Sequence, residues 1–108
     1  MKTDLIYDEF KDYEVDIEYL KEFNNMYLQL GQEAFAHRFR FDNHYGASVV
    51  KHFGSYGFEL DLFELAVLLF DDNGTSELCY TTPITNDVIG YLTNDDVLKI
   101  LTDIKNLK

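Results

Sequence analysis

The chain has 108 residues, is 46% hydrophobic and 16% aromatic, and carries a formal net charge of −11. That size and composition describe one folded domain rather than a disordered segment, since domains of roughly 60 residues already fold without staples. The single cysteine, Cys79, excludes an intrachain disulfide and a cysteine zinc cluster; the charge opposes nucleic acid and anionic membranes; and the longest apolar run, residues 65–70, falls far short of the about 20 residues a membrane helix needs.

The first 22 residues hold eight carboxylates against three lysines. Ile6, Phe10, Tyr13, Ile17, Leu20 and Tyr27 follow a helical spacing. Residues 12–19 also alternate strictly, with Tyr13, Val15, Ile17 and Tyr19 on one side, which is a strand pattern. Length favours a helix running to about Leu30 and stopped by Gly31 as its cap. Residues 1–30 therefore read as an acidic N-terminal helix or arm, and residues 31–108 as the body of the domain. No long apolar run precedes Asp8 and Glu9, so no signal peptide is expected.

The body reads as an antiparallel meander. Phe35, His37, Phe39 and Phe41 alternate with Ala36, Arg38 and Arg40 in a first strand. Residues 42–46 turn, and residues 47–53 form a second strand rich in β-branched side chains. Residues 54–57 read as a flexible connection. The nearly continuous apolar sequence of residues 62–70 predicts the central, most buried strand. Asp71-Asp72-Asn73-Gly74 carries a hairpin signal, and residues 75–82 return as a fourth strand ended by Pro83. Thr93-x-x-Asp96 resembles a capping box before a helix whose apolar stripe is Val97, Ile100, Leu101, Ile104 and Leu107. Lys99, Lys105 and Lys108 lie toward its C-terminal end, where cations suit the helix dipole. The expected fold class is α+β: a single domain with about four antiparallel strands and a C-terminal helix packed on one face.

Catalytic chemistry finds no foothold. Ser48, Ser55 and Ser76 lack the strand–turn–helix setting of an activated serine. Cys79 sits in a predicted strand with no neighbouring cation to stabilise a thiolate, and reads as structural. No enzyme activity, cofactor or metal is expected. A hairpin closed through Asn43 to Gly46 would set His37 opposite His52, where two imidazoles could share a metal; a chance cross-strand pair is the ordinary reading. The Asp71–Gly74 stretch lacks the ligand spacing of a calcium loop, and Gly54-x-x-Gly57 is too short for a phosphate loop. Arg38, Arg40 and Lys51 are the only close basic group, so nucleic-acid binding is not expected.

Residues 52–98 contain nine carboxylates and no lysine or arginine. Solubility alone accounts for such acidity. The sharper reading is mimicry: carboxylates on a rigid scaffold match the spacing of phosphates and occupy an Arg/Lys-rich groove of a partner. The residues expected to meet that groove are Asp8, Glu9, Asp12, Glu14, Asp16, Glu18, Asp71, Asp72, Asp95 and Asp96, with Tyr13 and Tyr19 adding contact area. The competing expectation is an assembly module that self-associates as a homodimer through a sheet edge or the apolar side of the arm.

Three segments carry a resemblance: Tyr45-Gly46-Ala47-Ser48-Val49-Val50, Phe63-Glu64-Leu65-Ala66-Val67-Leu68, and Cys79-Tyr80-Thr81-Thr82-Pro83-Ile84-Thr85-Asn86-Asp87-Val88-Ile89-Gly90-Tyr91-Leu92-Thr93. Together they resemble a module of small uncharacterised phage and prophage proteins, particularly of low-GC Gram-positive bacteria. The resemblance covers roughly residues 43–107 and leaves out the acidic arm. It assigns no residue a role. It implies a mobile-element protein acting in the bacterial cytoplasm, where phages use small acidic proteins to block restriction enzymes, CRISPR nucleases and other DNA-binding host machinery. The partner expected on that basis is a basic host nuclease, such as a CRISPR effector.

Overall fold

The computed structural model describes residues 9–32, 34–84 and 88–108. The acidic arm is not the single helix that its length favours: the strand period is realised only at residues 14–15, and the helical one only from Ile17. Lys11–Tyr13 make a single 3-10 turn, Glu14–Val15 form strand β1, and Ile17–Gln29 form helix α1. The change of period falls at Asp16, whose backbone is left-handed (φ 55°, ψ 33°) and whose carboxylate lies 3.3 Å from Arg38. Helix α1 ends at Gly31 as expected. The Gly31 N–H donates to the Leu28 carbonyl and the Gln32 N–H to the Tyr27 carbonyl, which is the Schellman arrangement with glycine at φ 75°.

Five further strands complete one sheet: β2 (Phe35–Arg40), β3 (Tyr45–Lys51), β4 (Phe63–Phe70), β5 (Ser76–Leu78) and β6 (Ile89–Leu92). Their order is β1-β2-β3-β4-β5, every pairing is antiparallel, and β6 also pairs with β4. Strands β5 and β6 share one edge of β4, opposite its C-terminal and N-terminal halves respectively. Among the described residues, six strands therefore replace the expected four. The strand expected over residues 75–82 stops early: the Cys79 N–H still bonds the Val67 carbonyl, but the ladder does not continue toward Pro83, which has no N–H to give.

Strand β4 is the buried centre, as its apolar run predicts, with Phe63, Leu65, Ala66, Val67, Leu68 and Phe70 all buried. Register puts Glu14, Phe39, Ala47 and Val67 in one row of the sheet, and Val15, Arg38, Ser48 and Ala66 in a row on the opposite face. The C-terminal helix α2 (Asn94–Lys105) covers the first face. It buries Val97, Leu101 and Ile104 completely against Phe39, Ala47, Val49, Leu65 and Val67, each aliphatic side chain contributing roughly 1.5–3 kcal/mol. Its capping box is formed: the Asp96 N–H donates to the Thr93 hydroxyl, and the Thr93 N–H to the Asp96 carboxylate.

Both hairpins at one end of the sheet have three-residue loops. The Phe41 N–H bonds the Tyr45 carbonyl around Asp42, Asn43 and His44, and the Asp71 N–H bonds the Thr75 carbonyl around Asp72, Asn73 and Gly74. In each loop the last residue has positive φ, 71° at His44 and 83° at Gly74, as a type I turn followed by a bulge requires. Asn43 does a second job. Its amide nitrogen reaches the carbonyls of Ile104, Lys105 and Leu107, the groups that a helix leaves without partners at its C-terminus.

Candidate interaction surface

The tight β2–β3 hairpin overturns one geometric expectation. Closing at Phe41 and Tyr45 pairs His37 with Val49, so His37 does not face His52. The two imidazoles have separate surroundings. His52 stacks on Tyr27 with ring centroids 5.3 Å apart and meets Phe23 edge-on, joining α1 to the sheet. His37 instead bonds the Glu14 carboxylate through Nδ1. The Glu14 side chain is only 2% exposed, so this carboxylate is part of the interior and is not presented to a partner. Sequence reasoning counted Glu14 with its acidic neighbours because alternation alone does not say which face of a two-residue strand turns inward.

The other sequence-predicted carboxylates among the described residues are exposed but scattered. Asp8 lies outside the described residues. Glu9 and Asp12 flank the buried ring of Phe10; Asp16 and Glu18 open α1, with Asp16 bonded to Arg38. Tyr13 is half-buried: it packs edge-on against Phe41, and the Lys105 ammonium lies 5.0 Å from its ring centroid. Tyr19 is 64% exposed, with the Arg38 guanidinium 6.0 Å from its ring centroid. Asp71 is engaged in its own turn, accepting from the Asn73 and Thr75 N–H groups, and with Asp72 it walls an open groove beside His44 and Tyr45. Asp95 and Asp96 begin α2, whereas Asp71 and Asp72 lie near its C-terminal end, about 18 Å away along a 12-residue helix. The backbone N–H of Thr93, and then its hydroxyl, hold the Asp96 carboxyl below the usual carboxylate range. These residues therefore do not form one continuous strip.

A different cluster forms where β3 crosses to β4. Residues 54–57 read as a flexible connection from sequence, yet the whole of residues 52–62 forms a hydrogen-bonded series of turns. Ser55 is buried and bonds His52 reciprocally: its hydroxyl donates to the His52 carbonyl at 2.8 Å and accepts from the His52 N–H at 3.0 Å. Phe58–Leu60 make a 3-10 turn, and the Leu62 N–H returns to the Gly57 carbonyl. This loop packs on a bulge in β6. Phe63 pairs with Leu92 and Leu65 with Ile89, so Glu64 alone opposes both Gly90 and Tyr91. Tyr91 has φ 60°, a conformation in which a bulky side chain is strained. Gly90 lets the two segments touch: a Cβ there would stand 2.5 Å from the Cβ of Tyr56. The Glu64 carboxylate accepts from the Tyr56 N–H at 2.9 Å, tying the loop to β4.

No family model, curated protein or solved structure matches this chain.

The loop end is also chemically distinct. Phe53 (64%), Tyr56 (60%), Leu60 (67%) and Tyr91 (60%) all expose most of their surface there. Glu59 and Asp61 of the same loop, and Asp95 four residues beyond Tyr91, are exposed. Lys51, at the end of β3, is turned inward: its ammonium bonds Asp61 at 2.7 Å and lies 4.6 Å from the Phe63 ring centroid. The sequence held part of this signal in the lysine- and arginine-free run of residues 52–98. The bulge that brings Tyr91 beside Tyr56 has no local signature.

Among the described residues, no three His, Cys, Asp or Glu side chains come together as a metal cluster. No helix there is long and apolar enough to cross a membrane. Cys79 is buried, with its sulfur 3.6 Å from the Thr81 hydroxyl.

Proposed function

We propose that this chain is a non-catalytic binding protein whose partner presents an Arg/Lys-rich surface. In its specific form, it is a phage-encoded inhibitor that sits in the nucleic-acid-binding groove of a host defence nuclease, such as a CRISPR effector, and keeps nucleic acid out. One observation carries the reading: among the described residues exposed carboxylates far outnumber exposed lysines, and several of the few cations are engaged by partners within the chain. Arg38 bonds Asp16, Lys51 bonds Asp61, Lys99 bonds Asp103, and Arg40 and Lys105 lie over the rings of Phe70 and Tyr13. Glu9, Asp12, Glu18, Asp72 and Asp95 stand exposed on turns and helix ends of a sheet-based scaffold. A one-signed surface of this kind steers association with a basic partner and repels nucleic acid itself. The phage resemblance of residues 43–107 supplies the bacterial, cytoplasmic setting.

The test is capture by the tagged protein from nuclease-treated bacterial lysate, released by a salt step, followed by a cleavage assay on the captured nuclease. Salt-released capture and dose-dependent inhibition support the reading. A captured nuclease that cleaves at full rate rejects inhibition.

One observation favours a second reading, a self-associating assembly module. Tyr19, Met26 and Leu30 are exposed and fall at i, i+7 and i+11, which is one stripe along α1. A solution mass twice that of the chain, restored to monomer by Met26→Lys and Leu30→Lys, would favour it.

A further inference from the structure

The geometry points to the loop end of the sheet as the docking surface for the basic partner, with Tyr56 and Tyr91 receiving arginine side chains beside exposed carboxylates of the same segments. This deepens the proposed function and rests on it, since it names where a basic protein surface would bind. Four large apolar or aromatic side chains, Phe53, Tyr56, Leu60 and Tyr91, are each at least 60% exposed within two packed segments. Isolated exposed hydrophobics are ordinary, but a group of this kind on one end of a small domain marks an interaction surface. Tyrosine is also the residue type that binding hot spots favour, because it offers contact area at low entropic cost.

The display is built in advance. The Tyr91 N–H approaches the Tyr56 carbonyl at 3.4 Å, Gly90 admits the Tyr56 side chain, and Ser55 anchors the loop to His52. Tyr91 holds a left-handed backbone that a glycine would hold without strain, yet its side chain is spent on solvent. Stability alone does not account for a tyrosine at that position. Contact with a partner does.

Charge selects the occupant. Residues 52–98, which supply both segments, contain no lysine or arginine, and Lys51 is already bonded to Asp61. A phosphate-bearing ligand is repelled. A second copy brings the same negative rim against itself. An arginine-rich protein surface matches on both counts, because guanidinium groups stack on tyrosine faces and pair with carboxylates.

The experiment is an NMR titration of the full-length, 15N-labelled chain with a nona-arginine peptide, at about 50 mM and about 300 mM salt, with a nona-lysine peptide as comparison. The expected result is salt-sensitive binding, tighter for arginine, with shifts concentrated at residues 53–64 and 88–96. Tyr56→Ala and Tyr91→Gly should each weaken binding about fivefold. Tyr91→Gly should do so while the thermal midpoint holds or rises, so a misfolded variant cannot mimic the result. Shifts confined to Glu9, Asp12 and Glu18 or to the 71–75 hairpin, with the tyrosine variants unchanged, would overturn this surface and leave the proposed function standing. No salt-sensitive binding of either peptide would overturn both. A doubled solution mass, with the same residues shifted by self-association, would assign the surface to a second copy and reject the basic partner.

Discussion

The two ends of the sheet use their residues differently. At the hairpin end, every device serves the fold. Two three-residue loops close in the same way, Asp71 accepts two N–H groups of its own turn, and Asn43 both shapes its loop and satisfies the C-terminus of α2. At the loop end, the same effort in turns and hydrogen bonds supports side chains that stay in solvent. Gly54, Gly57, Asp61 and Tyr91 all have positive φ within that end, and Phe53, Tyr56, Leu60 and Tyr91 are displayed rather than buried. The contrast separates a region that holds the sheet and helix together from one where the left-handed backbone of Tyr91 supports an exposed side chain.

The largest expected effect tests the hairpin end. Asn43→Ala removes the turn bond to the Tyr45 N–H and exposes the α2 carbonyls that Asn43 serves. Urea unfolding should show a loss of about 2 kcal/mol. A loss below about 0.5 kcal/mol would mean that water replaces Asn43 without cost and that this end is not specially built.

The next effect lies at the start of α2, near the loop end. Thr93→Ala breaks the capping box and should cost about 1 kcal/mol. The Asp96 half of the box adds a pH dependence whose direction is set. Its folded-state pKa is depressed by hydrogen bonds from Thr93, so its contribution is fully present above the ordinary Asp value of about 3.9 and disappears as pH falls through the folded value. Asp96→Asn should therefore be less stable than the parent at pH 7, and the gap should narrow in acid. Parallel unfolding curves at neutral and acid pH check this; a constant gap would reject it.

A smaller effect of opposite sign sharpens the comparison. Tyr91→Gly relieves a left-handed tyrosine and should raise stability by up to about 1 kcal/mol. A destabilised Tyr91→Gly would show that the exposed ring does contribute to the fold.

A last pair of substitutions compares the two hairpins directly. His44 and Gly74 occupy equivalent loop positions. Gly74→Ala should cost about 1 kcal/mol, and His44→Gly should add about 0.5 kcal/mol. Equal and negligible shifts would mean that neither loop depends on its left-handed residue.

The elements with strong local signals were legible. The run of residues 62–70 is the central strand because only a strand with neighbours on both edges buries so continuous an apolar sequence. The C-terminal helix declared itself through Thr93, Asp96 and its apolar stripe, and α1 stopped at Gly31. The arm was legible only as an ambiguity: residues 13–19 satisfy both periods, and the left-handed Asp16 divides them. The His37–His52 pairing failed because register follows loop length, and one turn sequence is compatible with loops of more than one length. The candidate surface was half legible: the acidic run was visible, but its tyrosines were not singled out.

Composition and periodicity by themselves determined that this is an acidic α+β domain with a buried central strand and a capped C-terminal helix, because those properties depend on residues near one another in the chain. Only the tertiary structure decided that Glu14 goes inside to meet His37, that Asn43 closes a helix more than sixty residues away, and that Tyr91 comes to stand beside Tyr56. Each of these depends on strand register and on a bulge, and both are set by packing between segments that are distant in sequence.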